Sequence, residues 1–258
     1  MIKKCKVCNE IIKEEYQKCK MIDYGSFSNI FSICNKNLII KNFLEFNREL
    51  EISNIISNLN KPYLLKPIKI KNLQIIYPRI NGLTFRNYFD INVIDSEDNK
   101  YQVIKKIFDI LLDLENTGFN HFDISPGNIM IENHTNKIYL IDYNYISNKC
   151  LEKIYLGSYG YVPPEKILYN QVIFNKFDIY SFGCIVGEYI FRNKLFRITN
   201  FNKYNTLQSF LDKQIKLSLK RINNNKIKNF YQILLTNSLQ LDYIKRKSFN
   251  EINFLLNN

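Results

Sequence analysis

The sequence predicts an α+β fold in two unequal lobes: a small five-stranded antiparallel sheet carrying one helix, then a larger, mainly helical lobe. Three observations predict it. Between residues 16 and 80, short apolar runs alternate with turn-forming residues and are interrupted by one helical stretch. After Asn81-Gly82 the spacing of apolar residues becomes helical, most clearly over Tyr101 to Asn116. With 258 residues, 46% of them hydrophobic, the chain can bury a sizeable core, as one two-lobed unit or as two small domains.

Residues 1–15 read as an extension, 16–80 as the small lobe and 81–258 as the large one. The extension holds Cys5-Lys6-Val7-Cys8, a pair with metal-ligand spacing. A zinc knuckle needs a second pair, and Cys19 and Cys34 are single residues on expected strands, so free thiols are the plainer reading. Gln17 to Tyr24 is the first strand and Asn29 to Cys34 the second, joined by Gly25-Ser26-Phe27-Ser28. Small residues at Gly25, Ser26 and Ser28 let a backbone approach phosphates, although an ordinary surface hairpin has the same pattern. Leu38-Ile39-Ile40-Lys41 is the third strand. Lys41 ends an apolar run, where a buried ammonium needs an anion to offset its desolvation. Asn42-Phe43-Leu44-Glu45 has a capping-box pattern, and Phe46, Leu50, Ile55 and Leu59 fall near helical spacing, so a helix is expected to Asn60. Glu45 and Glu49 lie four apart on one face of it; either can pair with Lys41, or both can be solvated. Lys61-Pro62 breaks the helix, and Pro67 to Tyr77 supplies two short strands around Lys71-Asn72.

In the second lobe, Thr84 to Phe89 is a short helix and Ile91 to Asn99 a polar connection. Tyr101 to Asn116 is an amphipathic helix burying Val103, Ile104, Ile107, Phe108, Leu111 and Leu114, and Gly118 stops it. The loop His121-Phe122-Asp123-Ile124-Ser125-Pro126-Gly127-Asn128 follows. A hairpin of Ile129 to Ile131 and Ile138 to Ile141 then delivers Asp142-Tyr143-Asn144. An Asp and an Asn five residues apart, with a third oxygen ligand at a strand end, suit a substrate hydroxyl and a phosphate-bound Mg²⁺, which prefers hard oxygens.

These residues resemble the protein kinase family, whose catalytic loop reads H-R-D-x-x-x-x-N and whose metal motif reads D-F-G. Small-molecule kinases of the choline and aminoglycoside type share a similar loop. Gly157-Ser158-Tyr159-Gly160-Tyr161-Val162-Pro163-Pro164-Glu165 separates the two, because it resembles G-T-x-x-Y-x-A-P-E, which closes the activation segment of protein kinases. Asp178-Ile179-Tyr180-Ser181-Phe182-Gly183 resembles D-V-W-S-x-G, and Arg246 matches the late arginine that pairs with the glutamate, here Glu165. Upstream, Asp23, Gly25 and Ser28 stand at the three positions of the glycine-rich loop, and Ile39-Ile40-Lys41 is similar to the V-A-I-K strand. The resemblance runs from about Tyr16 to the C-terminus.

It implies the protein kinase fold, with ATP between the lobes and transfer of the γ-phosphate to Ser or Thr hydroxyls of a protein substrate. By resemblance Asp123 is the catalytic base, Lys41 the phosphate clamp paired with Glu49, and Asn128 and Asp142 the Mg²⁺ ligands. Ser125 stands where serine/threonine kinases carry a lysine that touches the transferred phosphate. The nucleotide site would be lined by Gly25, Ser26, Phe27, Ser28, Ile30 and Ile39, with Ile76 as gatekeeper and Tyr77 to Ile80 as the hinge. Pro78 has no N–H, so Arg79 is expected to meet the adenine. Asp178 would anchor the catalytic loop. Phe122 replaces an arginine that reads an activation-segment phosphate, implying activity without one, and Asn144 replaces a glycine, tolerating a left-handed backbone. Asp23 and Ser125 keep open a nucleotide-binding pseudokinase scaffold, and the shared loop keeps a small-molecule kinase as a third reading.

The net charge of +12 comes from lysines spread along the chain, with no basic run long enough to track phosphates, so no nucleic-acid partner is expected. A positive surface suits anionic substrates. No apolar run reaches the roughly 18 residues of a membrane span, and Met1-Ile2-Lys3-Lys4-Cys5 lacks a signal-peptide core. Six unevenly spaced cysteines make no disulfide framework. The expectation is an intracellular, cytoplasmic monomer. The Asn-, Ile- and Lys-rich composition looks like AT-rich coding and would suit a parasite, or a large DNA virus whose protein works in host cytoplasm or virion.

Overall fold

Alternating β-branched and polar residues build a five-stranded antiparallel sheet in the computed structural model, which describes residues 19–24, 28–33, 37–44, 48–90, 96–148, 157–193, 196 and 204–258. The expectations for Cys5, Cys8, Cys34, Gly25, Ser26, Phe27 and Glu45 lie outside these residues. The chain divides into two compact units. The first takes the residues up to Gly82 together with Glu132–Asn144, and the second takes Leu83–Ile131 and Tyr145–Asn258.

In the first unit, β1 (Cys19–Tyr24), β2 (Ser28–Ile33), β3 (Leu38–Phe43), β4 (Lys69–Lys71) and β5 (Gln74–Pro78) lie in the order β1-β2-β3-β5-β4. Strand β3 runs two residues beyond the expected Lys41, because Asn42 is paired on both sides, with Asn29 and with Gln74. The helix α1 is described from Arg48 to Leu59 and buries Glu49, Leu50, Ile52, Ser53 and Ile56. Register decides which side chains share a face, since neighbours across a ladder point the same way and successive residues alternate. Lys41 lies opposite Ile30 on one side and Ile75 on the other, and Ile39 lies opposite Tyr77. Ile30, Ile39, Lys41, Ile75 and Tyr77 therefore share one face. Phe31, Ile33, Ile40 and Ile76 pack together on the other. The turn after β7 (Ile129–Glu132) is closed by the Glu132 N–H donating to the Lys137 carbonyl, and β8 (Ile138–Leu140) follows. Leu140 is tied back by its own N–H, which donates to the Tyr63 carbonyl at 2.9 Å.

Short β6 (Gly82–Thr84) leads to the helices of the second unit, α2 (Phe85–Asp90) and α3 (Glu97–Asn116). The latter starts four residues before the expected Tyr101, because Ser96 caps it by accepting from the Asn99 N–H. Glu97 and Asp98 in its first turn complement the helix dipole. Its buried face is Val103, Ile104, Ile107, Phe108, Leu111 and Leu114. After α4 (Pro164–Tyr169) and a 3₁₀ turn, α5 (Phe177–Ile190) is apolar on almost every side and buried along nearly its whole length. It is followed by α6 (Tyr204–Leu219), α7 (Asn225–Ser238) and α8 (Phe249–Asn257), which begins at a capping box of Ser248 and Glu251.

Close packing of α5 depends on glycine. A Cβ at Gly187 would stand 2.3 Å from Phe196 Cγ and 2.6 Å from its Cβ. A Gly187→Ala substitution is therefore expected to overpack this contact and destabilise the protein by about 1–3 kcal/mol, read as a lower midpoint with unchanged slope in urea denaturation.

Candidate functional site

In the first unit the central feature is a buried ammonium held by two carboxylates. Lys41 Nζ donates to Glu49 Oε2 at 2.5 Å and to Asp142 Oδ1 at 3.0 Å. Strand β3 supplies the lysine, the first turn of α1 the glutamate, and the segment after β8 the aspartate. Burial would lower the lysine's pKa, but the charges and hydrogen bonds of Glu49 and Asp142 outweigh it and hold the ammonium above the ordinary lysine value. Lys41 is thus a permanent cation.

Neighbouring groups fix the two acids. The Tyr77 hydroxyl donates to Glu49 Oε1 at 3.0 Å. Asn144 Nδ2 donates to Asp142 Oδ1 at 2.5 Å, so the oxygen facing Lys41 has two donors. Tyr143 is buried; its hydroxyl donates to the Leu140 carbonyl and accepts from the Leu65 N–H. Asp142 has φ +65°, whereas Asn144 is not among the residues with positive φ. The left-handed residue of Asp142-Tyr143-Asn144 is its first, and Asn144 acts through its amide side chain rather than its backbone.

Two expectations for this unit are corrected by the register. Ile76, expected as gatekeeper, packs with Phe31, Ile33 and Ile40 on the face opposite Lys41. The strand's period of two gives Tyr77 the position on the lysine's face instead. Arg79, expected to offer its N–H to adenine, donates that N–H to the Asn37 carbonyl at 2.8 Å, extending the β3–β5 ladder by one residue. Its guanidinium donates to Ser32 Oγ at 3.1 Å. Ile30, Ile39 and Ser28 do lie on the Lys41 face, Ser28 opposite Phe43, whose ring centroid is 5.5 Å from the ammonium.

The second unit holds the loop around Asp123. Asn128 Nδ2 donates to Asp123 Oδ2 at 2.8 Å and to the Asp123 carbonyl at 2.9 Å. Ser158 Oγ donates to Asp123 Oδ1 at 2.7 Å. Both carboxylate oxygens thereby have a fixed partner. Ser125 is buried, and its carbonyl accepts from the Asn128 N–H, closing the turn. Behind the loop, Asp178 accepts from the His121 N–H at 2.6 Å and the Phe122 N–H at 2.8 Å. Phe122 itself is left-handed, with φ +60°, and its ring packs edge-on against Phe174 and Phe177. Val162 and Val172 complete this apolar cluster. Arg246 and Glu165 form a bidentate pair at 2.6 and 2.9 Å, both buried, and the guanidinium also donates to the carbonyls of Gln240 and Lys176. It lies 4.7 Å from the Tyr180 ring centroid.

Sequence reasoning missed Tyr77 as the support of Glu49 and Asn144 as a donor to Asp142. A signal existed for Tyr77: Gln74-Ile75-Ile76-Tyr77 is a wholly buried strand segment, and a tyrosine there needs a partner for its hydroxyl. Among the described residues no three of His, Cys, Asp or Glu stand together as a metal cluster, and no helix is long and apolar enough to cross a membrane.

Residues 16–254 match the family model described as the protein kinase domain. The chain is 30% identical over 186 residues to the probable serine/threonine-protein kinase fnkB of Dictyostelium discoideum, covering 62% of this chain and 34% of that protein. It is 28% identical over 193 residues to a putative serine/threonine-protein kinase of Acanthamoeba polyphaga mimivirus, covering 66% of this chain and 41% of that protein. Glycogen synthase kinase 1 of Pyricularia oryzae is 27% identical over 206 residues, covering 70% and 52%. This chain therefore spans from 34% to 52% of the length of these relatives.

Burial raises the Asp178 pKa to about 7, the two N–H donors offsetting part of it. The unfolded carboxyl titrates near 3.9, so folding takes up a proton between about pH 4 and pH 7, and stability from this group falls as pH rises through that window. Asp178→Asn puts an amide N–H₂ against a backbone N–H and is expected to cost about 1–3 kcal/mol. Because only the wild type titrates here, the gap between the two proteins should narrow as pH rises from about 5 to about 7, as read by urea denaturation across that range.

Proposed function

This chain belongs to the protein kinase family, and from that premise we propose that it transfers the γ-phosphate of ATP to serine or threonine hydroxyls of protein substrates. The observation that carries the reading is the buried Lys41 ammonium, bound at once to Glu49 and Asp142. A desolvated ammonium fixed by two acids has one N–H donor left for a phosphate oxygen and is preorganised to offer it. Glu49, braced by Tyr77, keeps the ammonium in place; Asp142 keeps its second oxygen for another ligand.

Each of the two residues that the family resemblance gives to Mg²⁺ carries an oxygen of the hard kind this ion prefers. Asp142 offers a carboxylate, and Asn128, whose two amide hydrogens are both directed at Asp123, offers its carbonyl oxygen. Bound Mg²⁺ supplies charge neutralisation on the phosphates. The chain's own part is positioning. Asp123, held by Asn128 and Ser158, orients the acceptor hydroxyl and takes its proton. With the Arg79 N–H engaged, the hinge donor available to adenine moves one residue on, to Ile80. The serine/threonine kinase names of the relatives support the acceptor class. The Phe122 ring cluster does in apolar contacts what an arginine does with a phosphate, so the activation segment needs no phosphate to be held.

A nucleotide-binding scaffold without transfer is the second reading. Ser125, buried in the loop turn, favours it, because no lysine is then present to meet the transferred phosphate.

Incubation of the full chain with Mg²⁺, γ-labelled ATP and a generic basic protein tests the proposal. Label is expected on serine or threonine, reduced by about 10²–10⁴-fold in Asp123→Asn. Thermal stabilisation by Mg²⁺-ATP without any label transfer establishes the scaffold instead. Phosphatase treatment confirmed as complete by mass spectrometry should leave the rate unchanged; its abolition would overturn the apolar account of the Phe122 cluster.

A further inference from the structure

A second site stands in the helical unit, built from none of the residues proposed for phosphoryl transfer. It is a cavity of about 280 Å³, at the low end for small-molecule sites. Three cations line it: Lys100 in the first turns of α3, Arg192 beyond the end of α5, and Arg221 after α6. The one carboxylate in the lining, Glu97, is already used. Its two oxygens accept from the N–H groups of Asn223 at 3.3 Å and Asn224 at 3.1 Å, where α7 begins. Lys100 and Arg221 have no carboxylate partner among the described residues.

The floor is apolar, with Ile190, Phe191 and Ile222. It also contains an orphan. Tyr231 is fully buried and lines the cavity, yet its hydroxyl has no hydrogen-bond partner among the described residues. Burial and the nearby Glu97 charge keep that hydroxyl protonated, so it is a standing donor. Buried polar groups in folded proteins are normally paired, and an unpaired donor beside two cations without counter-ions asks for an acceptor carrying negative charge.

We propose that this cavity binds a small organic anion: one carboxylate or phosphate group on a short, flat apolar body. The acid group meets Arg221, Lys100 and the Tyr231 hydroxyl, while the body lies against Phe191, Ile190 and Ile222. A bare anion would leave the apolar floor uncovered, and a neutral ring would leave the cations unpaired. Both halves are therefore required.

Calorimetric titration of the full chain with phenyl phosphate, benzoate, benzyl alcohol and inorganic phosphate, each with and without saturating Mg²⁺-ATP, tests this. Phenyl phosphate or benzoate should bind about tenfold or more tighter than benzyl alcohol and inorganic phosphate. The tighter of the two identifies the acid group. Arg221→Gln, at an exposed position, should weaken that binding by about fivefold or more, as should Tyr231→Phe, which keeps the ring and removes only the donor. Equal binding of benzyl alcohol overturns the proposal. So does loss of binding when Mg²⁺-ATP is added, which would place the probe in the nucleotide site, or full affinity in both variants.

Discussion

The first unit depends on keeping one ammonium charged while it is out of water. Desolvating a lysine costs several kcal/mol, and the usual escape is loss of its proton. Lys41 does not take that route, because Glu49 and Asp142 both lie within hydrogen-bond reach. The pairing constrains everything around it. Strand β3 must present Lys41 on the face it shares with Tyr77, and α1 must begin close enough for Glu49 to reach. The turn at Asp142 must adopt a left-handed conformation. A slip of one residue in β3 would turn the lysine to the face of Phe31 and Ile40, among groups that could not compensate it.

The second unit solves the same problem twice more. Asp178 and the Arg246–Glu165 pair are buried ionisable groups inside a helical core, and neither is cheaper than an apolar residue of equal size. Their value lies in direction. A carboxylate accepting from two successive N–H groups fixes the orientation of the His121–Phe122 backbone, which an apolar side chain cannot do. That orientation is unusual: Phe122 sits at φ +60°, at a cost of about 1–2 kcal/mol for a non-glycine residue. The two Asp178 oxygens accepting from backbone N–H groups behind the loop, and the buried Phe122 ring, hold the strained residue in place, and Asp123 follows directly in the chain.

Much of this was legible in the sequence, because it rests on local pattern. The five strands, the helix carrying Glu49 and the buried face of α3 follow from periodicity, and the loop residues follow from motif order. What escaped was set by register and by pairing partners. Ile76 and Tyr77 are adjacent in an apolar run, and nothing local says which faces Lys41; only the pairing of Ile39 with Tyr77 decides it. The Arg79 N–H is engaged because the ladder runs one residue further, to Asn37, which no local pattern signals. At Asn144 the sequence signals backbone tolerance, yet its contribution is an amide N–H donated two residues back to Asp142. The Ser96 cap is hidden because it stands inside a polar run with the composition of a connection.

Phe122 shows how an apolar contact differs in energetics from a charged latch. An arginine facing a phosphate is a conditional contact, present only after modification, and each such pair has a large desolvation cost when empty. The Phe122 ring contacts Phe174 and Phe177 in T-shaped geometry at 5.7 and 5.4 Å, and Val162 and Val172 close the cluster. Burying such a side chain contributes about 1.5–3 kcal/mol, enough to offset the strain at its own backbone. None of that energy depends on a covalent mark. Residues 157–165 are tied to the core of the unit through Val162, in the Phe122 cluster, and through Glu165, paired with Arg246.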